Sequence, residues 1–283
     1  LCTMKKVAFA NDNATAAFAT RTDACNLTPA ARSAAYVPRY STNSFSNRRG
    51  YYIQLNNNST YDLYKVSDED DMQTSYTTAL TRTLVQNAIP IPSSGVIFVE
   101  DNVWVRTTTS FSGRVTIAAG RLGNDTNKAD VNIVGNVLYG SKSGADSIGL
   151  IAENNVLIAP YAPPRTGSFT FEINAATLAQ SGSVTYPDTY KVNAYRCTKG
   201  WADGGQKFLY YGSVATRQYW TWNYTRSSSC GDATPDYSSG RYISGIKNTA
   251  TSYDYNLYYA PPPSYPITGG YDILSWREVL TKP

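Results

Sequence analysis

The sequence predicts an all-β protein wound as a parallel β-helix, or solenoid, with a mixed N-terminal subdomain and loop decorations. Three observations carry that expectation. Charged residues are only 16% of the 283, while tyrosine alone occurs 24 times, a composition that suits strands, turns and neutral polar surfaces. From Val96 onward, apolar runs of three to five residues are separated by breaks as short as Gly135-Asn136 or Asn154-Asn155, enough to bend a chain through a corner. A short phrase also recurs, as DNVWVR at 101–106, GNVLYG at 135–140 and NNVLIA at 154–159. Such recurrence marks stacked coils.

Taken in order, residues 1–50 are rich in Ala, Asn, Thr and Ser, with helical composition around NATAAFATRTDAC (13–25) that its threonines weaken. YYIQL (51–55) and YDLYKV (61–66) alternate apolar and polar residues about an Asn-rich turn, which predicts a β-hairpin. In TSYTTALTRTLVQNA (74–88), Leu80, Leu84 and Val85 fall at helical spacing and predict a short helix. IPIPSSG (89–95) ends it, because each proline forces an extended predecessor. The boundary is drawn there, between an N-terminal region (1–88) and a β-helical domain (89–283).

Beyond it, VIFVE, VWVR, RVTIAAG, DVNIVG, NVLYG, GLIAE, NVLIAP and FTFEINA each predict a strand. In the repeated phrase, Asn suits a corner because it tolerates left-handed backbone. Asn102, Asn136 and Asn155 are therefore expected to stack at one corner, their amides bonding between coils. Alternation then sends Val103, Val105, Val137, Tyr139, Val156 and Ile158 inward. Trp104, Leu138 and Leu157 turn outward as an apolar stripe that needs a cover, expected from residues 1–88 or from a partner subunit. After Gln180 the regularity fades. Residues 181–207 and 225–240 read as decorations, KFLYYGSVATRQYWTWNY (207–224) as a further coil, and the triple-proline tail as an extended surface segment. YDILSW (271–276) is expected to cap the open end.

Histidine is absent, which removes Ser-His-Asp and Cys-His triads and every imidazole metal ligand. Four cysteines occur without a C-x-x-C, so a zinc ribbon or redox motif has no support. Three pairings are formally open. The sequence-local one, Cys2–Cys25 with Cys197–Cys230, is expected and implies an oxidising compartment. The net charge of +4 is scattered, without the clustered basic face of a nucleic-acid protein. The run Asp68-Glu69-Asp70-Asp71 lacks the spacing of a calcium loop and reads as a solvated turn. No cofactor is implied. No stretch approaches the roughly 20 apolar residues that cross a bilayer. Because the chain starts at Leu1, a missing N-terminal signal or anchor helix is the one expected link to a membrane.

The β-helix architecture includes polysaccharide lyases and hydrolases. Arg106 as a base beside Glu100 and Asp101, or Glu100 with Glu153 as an acid pair, are the candidates to weigh. Glu100 and Glu153 both precede the repeated phrase, so corner acids are the simpler reading, and no catalytic residue is assigned. The candidate surface-binding residues are Tyr210, Tyr211, Tyr219, Trp220, Trp222 and Tyr224. Alternation exposes about half of such a run to stack on sugar rings or a partner. The competing reading packs them against Tyr253, Tyr255, Tyr258 and Tyr259.

In order, IPIPSSGVIFVEDNVWV, GRVTIAAG, NIVGNVLYG, SIGLIAENNVLIAP, FEINAATLAQSGSV, YGSVA, YDYNLYYAPPPSYP and YDILSWREV resemble a bacterial surface domain of uncharacterised function. That domain accompanies PilX-like, prepilin-type proteins associated with type IV pili. The resemblance spans roughly residues 89–279 and is most specific at GLIAENNVLIAP and the terminal PPP…WRE. It implies an upstream pilin-like helix and export to the cell surface, and it carries over no catalytic residue. The segments 181–207 and 225–240 depart from its pattern. The expectation is a non-enzymatic extracellular surface protein, structural or adhesive, with pilus or other cell-surface subunits as partners, self-assembly included, and a glycan or host-surface ligand. The alternative is a β-helical lectin, lyase or hydrolase.

Overall fold

The computed structural model describes residues 1–12, 25, 32–41, 44–73, 75–122, 126–162, 168–187, 207–226, 234–236, 241–246 and 248–266. Helix α1 (Cys2–Asp12) comes first, then β1 (Tyr36–Val37), β2 (Gly50–Leu55), β3 (Thr60–Glu69), the single-turn α2 (Tyr76–Ala79) and β4 (Leu80–Pro90). Short strands follow in pairs: β5 (Val96–Val99) and β6 (Asn102–Thr107), β7 (Arg114–Ala119) and β8 (Val131–Ile133), β9 (Ser147–Ala152) and β10 (Val156–Ile158). The pairs continue with β11 (Thr170–Ala179) and β12 (Val184–Thr185), then β13 (Lys207–Thr216) and β14 (Trp220–Thr221). The chain goes on through β15 (Asn223–Arg226), β16 (Thr234–Asp236), β17 (Arg241–Gly245), β18 (Thr249–Tyr253) and the one-turn α3 (Asn256–Tyr259).

The fold is all-β and largely parallel. One sheet has the order β1-β5-β7-β9-β11-β13-β18, the other β14-β12-β10-β8-β6-β2-β3-β4. The first is parallel throughout. The second is parallel from β14 to β2 and antiparallel over β2-β3-β4. From β5 to β14 the chain alternates between the two sheets, and each strand pairs with the next of its own sheet. A small antiparallel sheet, β15-β17-β16, adjoins them.

The core lies between the two sheets and is built by alternation. Ile97, Val99, Val103, Val105, Ile117, Val131, Ile133, Leu150, Val156 and Ile158 all belong to one buried cluster. The expected inward residues Val137 and Tyr139 join it, through the isolated bridges Val137↔Ile173 and Phe111↔Tyr139. Outward from the eight-stranded sheet, Trp104 and Leu157 pack with Tyr52, Val66, Ala79, Leu80 and Tyr161. Residues before 89 thus cover the apolar stripe, while half-buried Leu138 lies outside it. On the far side of the other sheet, α1 lays Met4, Ala8 and Phe9 over Val96, Phe98, Ala118 and Ile151.

Four expectations are corrected. First, the strand partners are Val103↔Val131 and Val156↔Val131, so Asp130 and not Asn136 stands between Asn102 and Asn155. An aspartate serves that corner as well as an asparagine, because both offer a short side-chain oxygen to the neighbouring strand. Asn136 takes a separate row, where its Oδ1 accepts the Glu172 N–H at 3.0 Å. Second, segment 74–88 is helical for one turn only, then forms β4 at the sheet edge. Leu84 and Val85 are 50% and 40% exposed, so their spacing faces no core, and the threonine-rich stretch takes the extended form it prefers. Third, the boundary after residue 88 does not divide the sheets, since β1 pairs with β5 and β2 with β6. Fourth, the segments read as decorations carry sheet strands: 181–207 holds β12, paired between β10 and β14 in the eight-stranded sheet, and 225–240 contributes β16 to the small one. The hairpin at 51–66 forms as expected, from Gly50↔Val66 to Leu55↔Tyr61. Helical composition at 13–24 and the cap at 271–276 lie outside the described residues.

The triple proline lies on the outward face of the seven-stranded sheet. The Pro263 carbonyl accepts from Thr116 Oγ1 at 2.5 Å and that of Pro261 from Arg114. Gly149 admits this close approach, since a Cβ there would sit 3.0 Å from both Pro262 and Tyr265.

Candidate functional site

The corner joining the two sheets gathers the acids weighed for catalysis, and each is committed to structure. Glu100 is fully buried, paired with Lys5 and hydrogen-bonded by the Tyr36 hydroxyl at 2.5 Å. Burial lowers the Lys5 pKa despite the pairing and raises that of Tyr36. Asp101 accepts the N–H groups of Tyr40 (2.9 Å) and Asn102 (3.0 Å) and faces Arg121 at 3.5 Å. Its burial nonetheless raises its pKa. Glu153 accepts from the Arg121 N–H at 2.6 Å. It follows Ala152 as Glu100 follows Val99, with Gly120 on the strand between, so both are corner acids. Arg106 lies over the Tyr76 ring at 4.4 Å and donates to the Thr107 carbonyl. In the acidic run, Glu69 is buried and accepts from Trp104 Nε1 (2.7 Å) and the Tyr161 hydroxyl (2.5 Å). Asp70 instead accepts the Met72 N–H, and Asp68 pairs with Arg48 at 3.0 Å. Among the described residues no cluster of His, Cys, Asp or Glu forms a metal site. No helix among them is long and apolar enough to cross a membrane.

The six candidate binding aromatics separate. Tyr210 and Trp222 are buried, at 1% and 5% exposure, and pack with Phe208 between the sheets. Both therefore leave the binding set. Inward alternation on β13 takes the first, and the core beside Ile246 takes the second. Tyr211 is half-buried and donates to Asp254 at 2.7 Å; burial first, and then that carboxylate, push its phenol up to about 12. Trp220 is 51% exposed on the edge strand β14. Of the competing tail contacts, Tyr255, Tyr258 and Tyr259 are exposed and do not cover the run. Cys2 and Cys25 form a disulfide with Cα atoms 5.1 Å apart, and Cys197 and Cys230 lie outside the described residues.

Tyr219 and Tyr224 line a groove of about 470 Å³ on the outer side of the eight-stranded sheet, together with Asp130, Asn155, Ser183 and Gln218. The polar residues form a ladder across successive strands. Asn102 Oδ1 accepts the Asp130 N–H at 3.0 Å. Asp130 Oδ1 accepts from both the backbone and the side chain of Asn155, at 2.9 and 3.1 Å. Asn155 Oδ1 accepts the Ser183 N–H at 2.9 Å, and Ser183 Oγ donates to Gln218 Oε1 at 3.3 Å. At the rim the Tyr224 hydroxyl meets Thr185 Oγ1 at 3.0 Å. Burial pushes the Tyr224 phenol up to about 12, against the Thr185 hydrogen bond, with Tyr219 adding to the rise.

No family model, curated protein or solved structure matches the chain. Asparagine at 102 and 155 was visible in the repeated phrase. Asp130, Ser183 and Gln218 carry no motif and were missed, because only strand register brings them into line. The groove offers hydrogen-bond donors and acceptors beside a tyrosine 50% exposed, which suits recognition of a polar, uncharged ligand.

Proposed function

We propose that the two sheets close into a parallel β-helix, and that the protein is a non-enzymatic extracellular surface component, structural or adhesive, of the type IV pilus-associated kind. The alternation of strands between two parallel sheets, with bridges Phe111↔Tyr139 and Val137↔Ile173 on the connecting side, supports the solenoid. The Cys2–Cys25 disulfide supports an oxidising compartment. The link to pili rests on the sequence motifs alone.

One observation carries the non-enzymatic reading. The acids that a polysaccharide enzyme would need, Glu100 and Asp101, are buried and used as hydrogen-bond acceptors at a corner, while Arg106 is stacked on Tyr76. A general acid must reach its substrate, and these do not face the open groove. The native protein should be labelled by antibody on intact cells and released with sheared pili, and it should turn over none of pectin, alginate or peptidoglycan, with or without calcium. A cytoplasmic location would sink the surface reading. Turnover abolished by Glu100→Gln or Arg106→Ala would sink the non-enzymatic one.

A further inference from the structure

From the groove on the eight-stranded sheet we infer a binding site for a neutral oligosaccharide, laid across the strands along the polar ladder. This inference rests on the surface-binding reading above and names its ligand class.

The volume of about 470 Å³ falls within the range of small-ligand sites. Its lining excludes several ligand classes. Asp130 is the only charged residue among the described lining residues, so nothing there attracts phosphate, sulfate or a uronate, and the carboxylate repels them. Leu157 and Pro187 are the only aliphatic residues among the described lining residues, too little for a lipid chain. What remains is amide, hydroxyl and phenol, the groups that exchange hydrogen bonds with sugar hydroxyls. Tyr219 supplies a half-exposed ring for the apolar face of a pyranose. The Tyr224 phenol, held up to about 12, remains a proton donor throughout the physiological range.

Spacing gives the direction. Asp130, Asn155 and Ser183 precede β8, β10 and β12, which are adjacent parallel strands, so successive ladder positions repeat at about 4.8 Å. That period is close to the rise per sugar of an extended glycan. Asp130 and Ser183 are buried to 7% and 3% exposure, so a chain lying across the strands meets the half-buried Asn155 and the exposed Gln218, with Tyr219 at one end. The ladder is already tied by hydrogen bonds from Asn102 to Gln218, so binding orders few side chains.

Isothermal titration of the native protein with cellohexaose, xylohexaose, chitohexaose, maltohexaose and hexagalacturonate tests the site. At least one neutral hexasaccharide should bind, with hexagalacturonate weaker by about tenfold or more, and with affinity falling about tenfold in Tyr219→Ala and in Gln218→Ala. Tyr255→Ala, which alters an exposed tyrosine outside the groove, should bind as the parent does. Circular dichroism confirms that the variants fold, and Tyr219→Phe, which keeps the ring, should retain most of the affinity. Binding of no neutral hexasaccharide, preference for hexagalacturonate, or unchanged affinity in both groove variants overturns the inference. A surface-exposed protein that ignores these sugars would overturn this inference alone. A sugar-binding protein confined to the cytoplasm would overturn only the surface reading.

Discussion

At the scale of single residues, the ladder shows how one short polar side chain per strand settles the corner. Each acceptor oxygen meets a donor on the neighbouring strand, so the groups a bend leaves without sheet partners are satisfied by side chains. Asn155 bridges its two neighbours in the ladder. It receives the Ser183 N–H, which is 3% exposed as a residue, and donates to Asp130. Asn155→Ala removes both bonds and leaves a buried donor unmet, so it should cost about 1–3 kcal/mol. Asp130→Asn keeps an acceptor oxygen in place and should cost less. Urea unfolding of the two variants measures the order. If Asn155→Ala is neutral, the ladder does not hold the corner.

At the scale of elements, α1 is held against the seven-stranded sheet by Met4, Ala8 and Phe9 and by the Cys2–Cys25 disulfide, whose cysteines are 23 residues apart. In the chain-entropy account a loop of this length stabilises by roughly 3 kcal/mol. Reduction, or Cys2→Ser, should lower the denaturation midpoint accordingly and raise hydrogen exchange first in α1. An unchanged midpoint would show that the helix packs without the crosslink. Element identity was the most legible level of the sequence. The short strands from VIFVE to FTFEINA and the hairpin about NNNST follow from alternation and turn residues, which are local, except that NVLYG makes two isolated bridges in place of the expected strand. Register was not legible, because Asp130 does an asparagine's work at the corner while Asn136, inside an apparent copy of the phrase, belongs to another row. The phase of β13 was not legible either, and that phase sends Tyr210 inward while Tyr211 is left half-buried. For segment 74–88 the apolar spacing misled, since Leu84 and Val85 sit on an edge strand with no core to meet.

At the scale of the whole molecule, tyrosine is a building material of the interior, and this sets the protein's limit in alkali. Tyr36, Tyr52, Tyr139, Tyr161 and Tyr210 are all buried, and burial raises the pKa of each, reinforced by Glu100 beside Tyr36 and by Glu69 beside Tyr161. In the unfolded chain a phenol loses its proton near pH 10. Above that pH the folded state holds protons that the unfolded state has released. Stability from these residues is therefore intact below about pH 10 and falls as pH rises further, by up to about 1.4 kcal/mol per phenol for each pH unit. Lys5 acts the other way, because desolvation lowers its pKa and favours the folded state as pH approaches the unfolded value of about 10.4. It is one group against five. Five phenols together remove up to about 7 kcal/mol per pH unit, comparable to the whole stability of an ordinary domain. Phenolate absorbance and near-ultraviolet circular dichroism should therefore change together, in one cooperative step between about pH 10 and 12. A gradual ionisation of all 24 tyrosines with the dichroism intact would mean that water reaches these buried rings, and would overturn the packing described above.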